Sequence, residues 1–325
     1  MASIEVLCAH SAFGYFGAVG VDIFFILSGF LIAMIIEQRS SSNEKGSINV
    51  IRQSARKFWL SRYFRVAPIY YFYTFLAIAL GVGVPESLTH LITSFAMIKT
   101  PAYTSPVLSV GWTLEYEFAL YCMATLAIFA CNKIIPGKIK PIYALIFFLA
   151  VATIVVDLIL FPTKMYGHFL EFLMGCVSYL LYKSSPHKVN SLLGGVSLMF
   201  IGTTFAFFGA KHFNEIMQLR FVFLGIPALL ILWGALFLEK TIRNSKENVF
   251  VSCLLKLGAS SYTLYLSHIF ILNLGRIMLG VERSESILIE AFLVVSSILI
   301  SIPLFTQVEK KITVFCKDRF LISTI

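Results

Sequence analysis

Nine long apolar runs decide what this chain can fold into: Gly14–Ile36, Val66–Val84, Gly111–Cys131, Ile142–Phe161, Tyr166–Tyr182, Leu192–Ala210, Phe221–Leu238, Gly258–Gly280 and Ile287–Gln307. Each is close to the roughly 20 residues that cross a hydrocarbon core as a helix. In lipid the backbone must satisfy its own hydrogen bonds, so only helices and closed barrels span. Barrel strands alternate apolar and polar residues, whereas these runs are unbroken. Composition agrees: the 325 residues are 58% hydrophobic and 13% charged, against about 45–50% and about 25% in soluble domains. The predicted fold is all-α, a polytopic transmembrane helix bundle with nine full spans and a short apolar front, Met1–His10. As a helix that front reaches only about 15 Å, so it reads as the end of a first span that begins upstream. The connections are short except 37–65, polar and basic, and 85–110, where a surface helix is expected around Ser87–Ile98. No repeat or soluble insertion interrupts, so 1–325 reads as a single membrane domain.

The net charge of +9 would raise nucleic acid as a partner for a soluble protein. Here it reads as loop bias toward Lys and Arg on the cytoplasmic side, with no nucleic acid expected. With 37–65 inside, twenty of the 26 Lys and Arg fall on one side, and Lys99, Lys164, Lys211, Arg220, Arg276 and Arg283 on the other. That asymmetry predicts a cytoplasmic C-terminus and a multi-pass protein of the cell's inner membrane. The six cysteines form no C-x-x-C pair and read as small packing residues, and no metal is expected.

Ionisable side chains inside spans are costly and are functional candidates by default. They are His10, Asp22, Glu115, Glu117, Asp157, His168, Glu171, His268, Arg276 and Glu290. On the predicted topology His10, Asp22, Glu117, His168 and Glu171 lie in the outer half, and His268 near mid-membrane. His168 and Glu171 are three apart and share a face. Glu115 and Glu117 lie about 200° apart around a helix, so one of them is expected to be structural. A carboxylate–histidine group in a dry cavity suits general-base work on a hydroxyl. The densest basic stretch, Arg52, Arg56, Lys57, Arg62 and Arg65, lies on the inner face and suits a phosphate-rich ligand. Each buried acid also has a plain alternative, a hydrogen bond that fixes helix packing. Asp157 and Glu290 are expected at the interface, and Arg276 is expected to snorkel outward. The basic 37–65 loop has a plain reading too, as a topology determinant.

Five stretches carry a resemblance. They are Gly20-Val-Asp22-Ile-Phe-Phe-Ile-Leu-Ser28-Gly29-Phe-Leu-Ile32, Phe58-Trp-Leu-Ser-Arg62-Tyr-Phe-Arg65-Val-Ala-Pro68-Ile-Tyr70, Gly111-Trp112-Thr113-Leu114-Glu115-Tyr116-Glu117, Leu170-Glu171-Phe-Leu-Met-Gly175 and Leu257-Gly258-Ala-Ser-Ser-Tyr262-Thr-Leu-Tyr265-Leu-Ser-His268. In this order the chain resembles acyltransferase family 3, integral-membrane O-acyltransferases with ten spans in most members. The form of the Trp112 motif most resembles the family's exopolysaccharide-modifying enzymes.

The resemblance implies His10 as the catalytic histidine and general base, helped by Glu117 or Asp22, and Arg62 and Arg65 as positions near a cytoplasmic acyl-CoA donor. Asp22, Glu117 and His268 match motif positions without a settled division of labour, and Glu171 and Trp112 are further candidates. The family's arginine eleven residues before the histidine would precede Met1, so an in-frame upstream extension of about ten mostly apolar residues is expected. The implied activity is transfer of an acyl group, acetyl or succinyl, from acyl-CoA to a sugar hydroxyl of an exopolysaccharide, lipopolysaccharide or lipid-linked glycan. Two rivals stand beside it. One is a transporter with Asp22, Glu117 and His268 as a proton relay, although no matching broken spans are visible. The other is a degenerate, non-catalytic scaffold.

Overall fold

The structure is a computed structural model that describes residues 2–11, 18–41, 48–100, 102–103, 105–133, 139–156, 167–184, 191–211, 220–245, 248–282 and 286–320. Among the described residues every regular element is helical. In chain order they are α1 (Ala2–Ala9), α2 (Ala18–Ser41), α3 (Ile48–Ala79), α4 (Leu88–Ala96), α5 (Trp112–Lys133), α6 (Pro141–Thr153), α7 (His168–Ser184) and α8 (Leu192–Lys211). They continue as α9 (Ile226–Asn244), α10 (Val249–Ala259), α11 (Ser261–Leu279), α12 (Ile287–Leu304) and α13 (Lys310–Phe320).

Five segments are long and apolar enough to cross a membrane: Val19–Arg39, Ser109–Cys131, Leu192–Gly209, Phe221–Asn244 and Ile287–Cys316. Each falls on a predicted run. The other four runs fall on the second half of α3, on α6, on α7 and on α11, and the 157–161 part of one run lies outside the described residues. Large apolar side chains stay exposed along these helices, among them Phe147, Leu193, Phe200, Leu288 and Phe292. A water-soluble surface does not carry apolar area on this scale, and the chain is a multi-pass membrane protein.

One expectation is corrected. The basic stretch predicted as a loop is mostly helix: α3 starts at Ile48 and runs through Pro68 to Ala79. Its 32 residues rise about 48 Å, well beyond a hydrocarbon thickness of about 30 Å. The arginines of 52–65 therefore ride on a continuous helix.

The residues group into two compact units. The first takes in Met1–Gly17, Leu60–Phe118 and Ser252–Ile325, the second Ala18–Trp59 and Ala119–Val251. In the second unit α2 packs on α7 through glycine. A Cβ on Gly29 would lie 2.1 Å from the Phe172 carbonyl oxygen, and one on Gly175 2.0 Å from that of Ile26. Only glycine permits that approach, the usual device where lipid removes the hydrophobic drive for helix pairing. Gly195, Gly202 and Gly209, seven apart on α8, meet the α9 side in the same way at Gly234, Pro227 and Phe223.

In the first unit α11 and α12 form an antiparallel hairpin across 280–286, and α1 lies against both. Leu7, Leu264, Leu272 and Leu293 form the core of that contact. The chain between α4 and α5 does not stay at the surface. Val107, Leu108, Val110 and Gly111 are buried, with a short 3-10 turn at Ser109–Gly111. Irregular backbone inside a membrane protein must find partners within the protein. The Val107 amide donates to Ser94 Oγ at 3.0 Å, and His90 Nε2 donates to the Ser105 carbonyl at 3.0 Å.

Candidate active site

The first unit brings two of the predicted histidines together. His10 closes α1, three residues after Leu7, so the core that buries Leu7 also fixes where His10 points. His268 sits on α11 and is fully buried, while His10 is only partly so. The rings stack at 5.1 Å, and His10 Nδ1 lies 3.1 Å from His268 Nε2.

The hydrogen-bond network assigns the protons. His268 Nδ1 lies 3.2 Å from the carbonyl oxygen of Leu264, one turn back on α11. A carbonyl only accepts, so His268 Nδ1 carries the proton and, in the neutral ring, Nε2 is the acceptor. The His10 Nδ1–H therefore donates to it, and the lone pair of neutral His10 resides on Nε2. The sequence reading gave His10 a carboxylate helper, Glu117 or Asp22. In the structure a second imidazole occupies Nδ1 and sets the tautomer.

A cation holds the same residue from its other side. Arg276 Nη2 donates to the His10 carbonyl at 3.0 Å. Its Nε and Nη2 also donate to Glu290 Oε1 and Oε2, at 2.7 and 2.8 Å. This corrects two expectations, because Glu290 is 1% exposed rather than interfacial and Arg276 is ion-paired rather than snorkelling. The reason is reach: Arg276 is four residues before Gly280 and Glu290 three after Ile287, so the hairpin sets them at one level. That symmetry about the turn is the sequence signal that locates the pair.

Tyr265, one turn from His268, ties α11 to the irregular segment. Its hydroxyl donates to the Val110 carbonyl and accepts from Thr113 Oγ1 at 2.6 Å. Its ring centroid is 6.2 Å from that of His268. Glu117, one turn beyond Thr113 on α5, is buried and within electrostatic range of Tyr265. Glu115 turns elsewhere and pairs with Lys99 at 3.7 Å, the structural fate expected for one of these two acids. Trp112 opens α5 and meets Tyr116 edge-on at 6.2 Å. A Cβ on Gly111 would come within 2.6 Å of Tyr70 Cε2, so this corner has no spare space.

Arg62 and Arg65 share a face of α3, Arg62 partly buried and Arg65 exposed. The adjacent Val66 carbonyl accepts from the Tyr262 hydroxyl at 2.9 Å, which fixes this part of α3 against the start of α11. From Tyr262 to His268 is six residues, about 9 Å of helix rise. Glu309, in the π-helical turn Phe305–Glu309, is bonded by Thr263 and within the field of Arg65. Val66, next to Arg65, thus meets α11 about 9 Å of helix rise before His268.

The remaining candidates belong to the second unit. Asp22 is fully buried, and Arg220 grips both its oxygens at 3.1 and 2.9 Å. His168 and Glu171 are buried together with Nδ1 3.6 Å from Oε2, as their spacing predicted. Phe25, three residues after Asp22, meets the His168 ring at a tilt, with centroids 4.9 Å apart. Asp157 lies outside the described residues.

Comparison with known proteins adds the chemistry class. Residues 1–306 match the family model of the acyltransferase domain of acyltransferase family 3. The exopolysaccharide production protein ExoZ of Rhizobium meliloti (strain 1021) is 29% identical over 278 residues, 79% of this chain and 77% of that protein. No solved structure matches. The chain belongs to acyltransferase family 3 and is an acyltransferase.

Proposed function

We propose that this acyltransferase moves an acyl group, acetyl or succinyl, from acyl-CoA to a sugar hydroxyl of an exopolysaccharide or a lipid-linked precursor of one, with His10 as general base. One observation carries the reading: the proton chain from His10 through His268 to the Leu264 carbonyl, which puts the lone pair of His10 on Nε2. A sugar hydroxyl is a poor nucleophile until a base takes its proton in the transition state. His10 Nε2 accepts that proton as the oxygen attacks the thioester carbonyl. The C–O bond forms, the C–S bond breaks, and the proton passes from His10 to the departing CoA sulfur. His268 holds the tautomer and accepts a stronger hydrogen bond as His10 becomes positive.

Arg62 and Arg65 supply the charge and donor geometry that suit the donor's phosphates. Their place by the start of α11, about 9 Å of rise from His268, leaves the donor's flexible arm to reach the base. Glu117 and Trp112 flank Thr113 on α5, whose hydroxyl bonds to Tyr265. The acceptor class rests on the ExoZ similarity and on the Trp112-Thr113-Leu114-Glu115-Tyr116-Glu117 motif. A ten-span arrangement in the inner membrane with the C-terminus cytoplasmic completes the reading, supported by the asymmetry of Lys and Arg.

Mass spectrometry of surface polysaccharide tests the proposal. A deletion strain is expected to lose one acyl mass per modified sugar, restored by the wild-type chain, and membranes are expected to transfer label from acyl-CoA to that polysaccharide. Identical polysaccharide masses with and without the protein would overturn the acceptor assignment, and no transfer of label would overturn the donor assignment.

A further inference from the structure

We propose that Arg276 and Glu290 are positioning residues for the catalytic base, a fork spanning both helices of the α11–α12 hairpin that pins the backbone of His10. The inference rests on His10 being the base, and it assigns work to two residues outside the motifs that carry the family resemblance.

The last carbonyls of a helix have no amide ahead of them to accept from, and in a protein surrounded by lipid they must find donors internally. His10 closes the eight-residue α1 in a hydrogen-bonded turn, its amide donating back to Val6 and Leu7. Its own carbonyl accepts from Arg276 Nη2 at 3.0 Å. A cation there also faces the negative end of the helix dipole.

Both protons of Nη2 are used, one on His10 and one on Glu290 Oε2, while Nε uses Glu290 Oε1. With two of its nitrogens fixed by one carboxylate, the guanidinium plane cannot rotate, so the donor aimed at His10 is held in direction as well as distance. Gly275 permits this. A Cβ there would sit 2.3 Å from Leu293 Cδ2, and Leu293 is one turn from Glu290, so α12 closes on α11 beside the ion pair.

His10 is thereby held to α11 at two points eight residues apart, side chain to His268 and carbonyl to Arg276. The carbonyl anchor adds to the side-chain anchor in fixing the orientation of His10. Neither Arg276 nor Glu290 touches a reacting atom, and their effect passes through His10. A misplacement of about 1 Å at a reacting group can lower a rate by about 10²-fold, so losing one anchor is expected to lower kcat with little effect on donor binding.

Removing Arg276 alone would strand a buried carboxylate and destabilise the fold. Replacing a buried ion pair by apolar side chains of similar size is usually tolerated. The test is therefore the double variant R276M/E290M in the full-length protein. It is measured beside wild type and H10A for binding of a non-transferable acyl-CoA analogue and for kcat per bound donor site. The expected result is unchanged analogue stoichiometry and Kd, unchanged KM for the donor, and kcat lower by about 10- to 100-fold.

Two results overturn the proposal: a kcat per site within twofold of wild type, or a fall in activity matched by an equal fall in binding stoichiometry, which is lost fold rather than lost position. H10A separates this from the reading it rests on. If H10A binds the analogue but does not turn over while R276M/E290M turns over normally, the base stands and the positioning role falls. If H10A turns over at the wild-type rate, both fall.

Discussion

His268 offers the sharpest handle on the chemistry, because it acts on His10 through one nitrogen. In His268→Leu the acceptor 3.1 Å from His10 Nδ1 disappears. Between neutral groups that bond is worth about 0.5–1.5 kcal/mol, and about 1.5–3 kcal/mol once a partner is charged. His10 becomes charged only as it takes the proton, so about 1–2 kcal/mol of the bond is felt in the transition state alone. The variant also frees the His10 proton to move to Nε2, which removes the base from part of the population. Together these give about 1.5–3 kcal/mol on the barrier, or about 10- to 100-fold in kcat at 1.36 kcal/mol per decade.

His268→Gln supplies an amide oxygen in place of Nε2 and is expected to stay within about tenfold of wild type. The assay is the initial rate of label transfer from acyl-CoA to polysaccharide in membranes of matched expression, with donor-analogue binding as the check on fold. An H268L variant with wild-type kcat, or an H268Q as slow as H268L, would refute the tautomer argument.

Two further outcomes follow from the same geometry. Gly29→Ala and Gly175→Ala each place a methyl about 2 Å from a backbone oxygen of the facing helix. Overpacking of this kind costs about 1–3 kcal/mol, read as lower folded yield and lower melting temperature in detergent. Arg220→Met strands the buried Asp22 carboxylate, a change of about 3–5 kcal/mol, which D22L/R220M is expected to recover largely; thermal unfolding of the three proteins checks it.

Much of the fold was legible because lipid imposes a simple rule on sequence. The five helices long and apolar enough to span lie on predicted runs. Hydropathy failed where the chain obeys something else. The arginines of 52–65 look like a loop to a hydropathy reading, but nothing in their sequence breaks a helix before Pro68, and α3 continues through both environments. The buried 105–111 stretch is too short and too rich in turn residues to read as membrane structure. It is held by Ser94 and His90, 13 and 15 residues from their partners, and by Tyr265, 155 residues away.

The site divides the same way. His10 and His268 were visible as costly charges in apolar runs, but their contact joins residues 258 apart, which spacing does not encode. Tyr265 and Thr113 lie inside the family motifs, and their bond to each other joins residues 152 apart. Arg276 and Glu290 each, taken alone, have an easy exit to the interface. Only their symmetric distance from the turn betrays the pair.

The account stands on His10 as the base, and one measurement addresses that most directly: single-turnover transfer of label from acyl-CoA to polysaccharide by purified wild type and H10A, each first shown to bind the donor analogue with the same stoichiometry. The account predicts that H10A binds donor normally and leaves the label on CoA. Transfer by H10A at the wild-type rate, with donor bound, would contradict it.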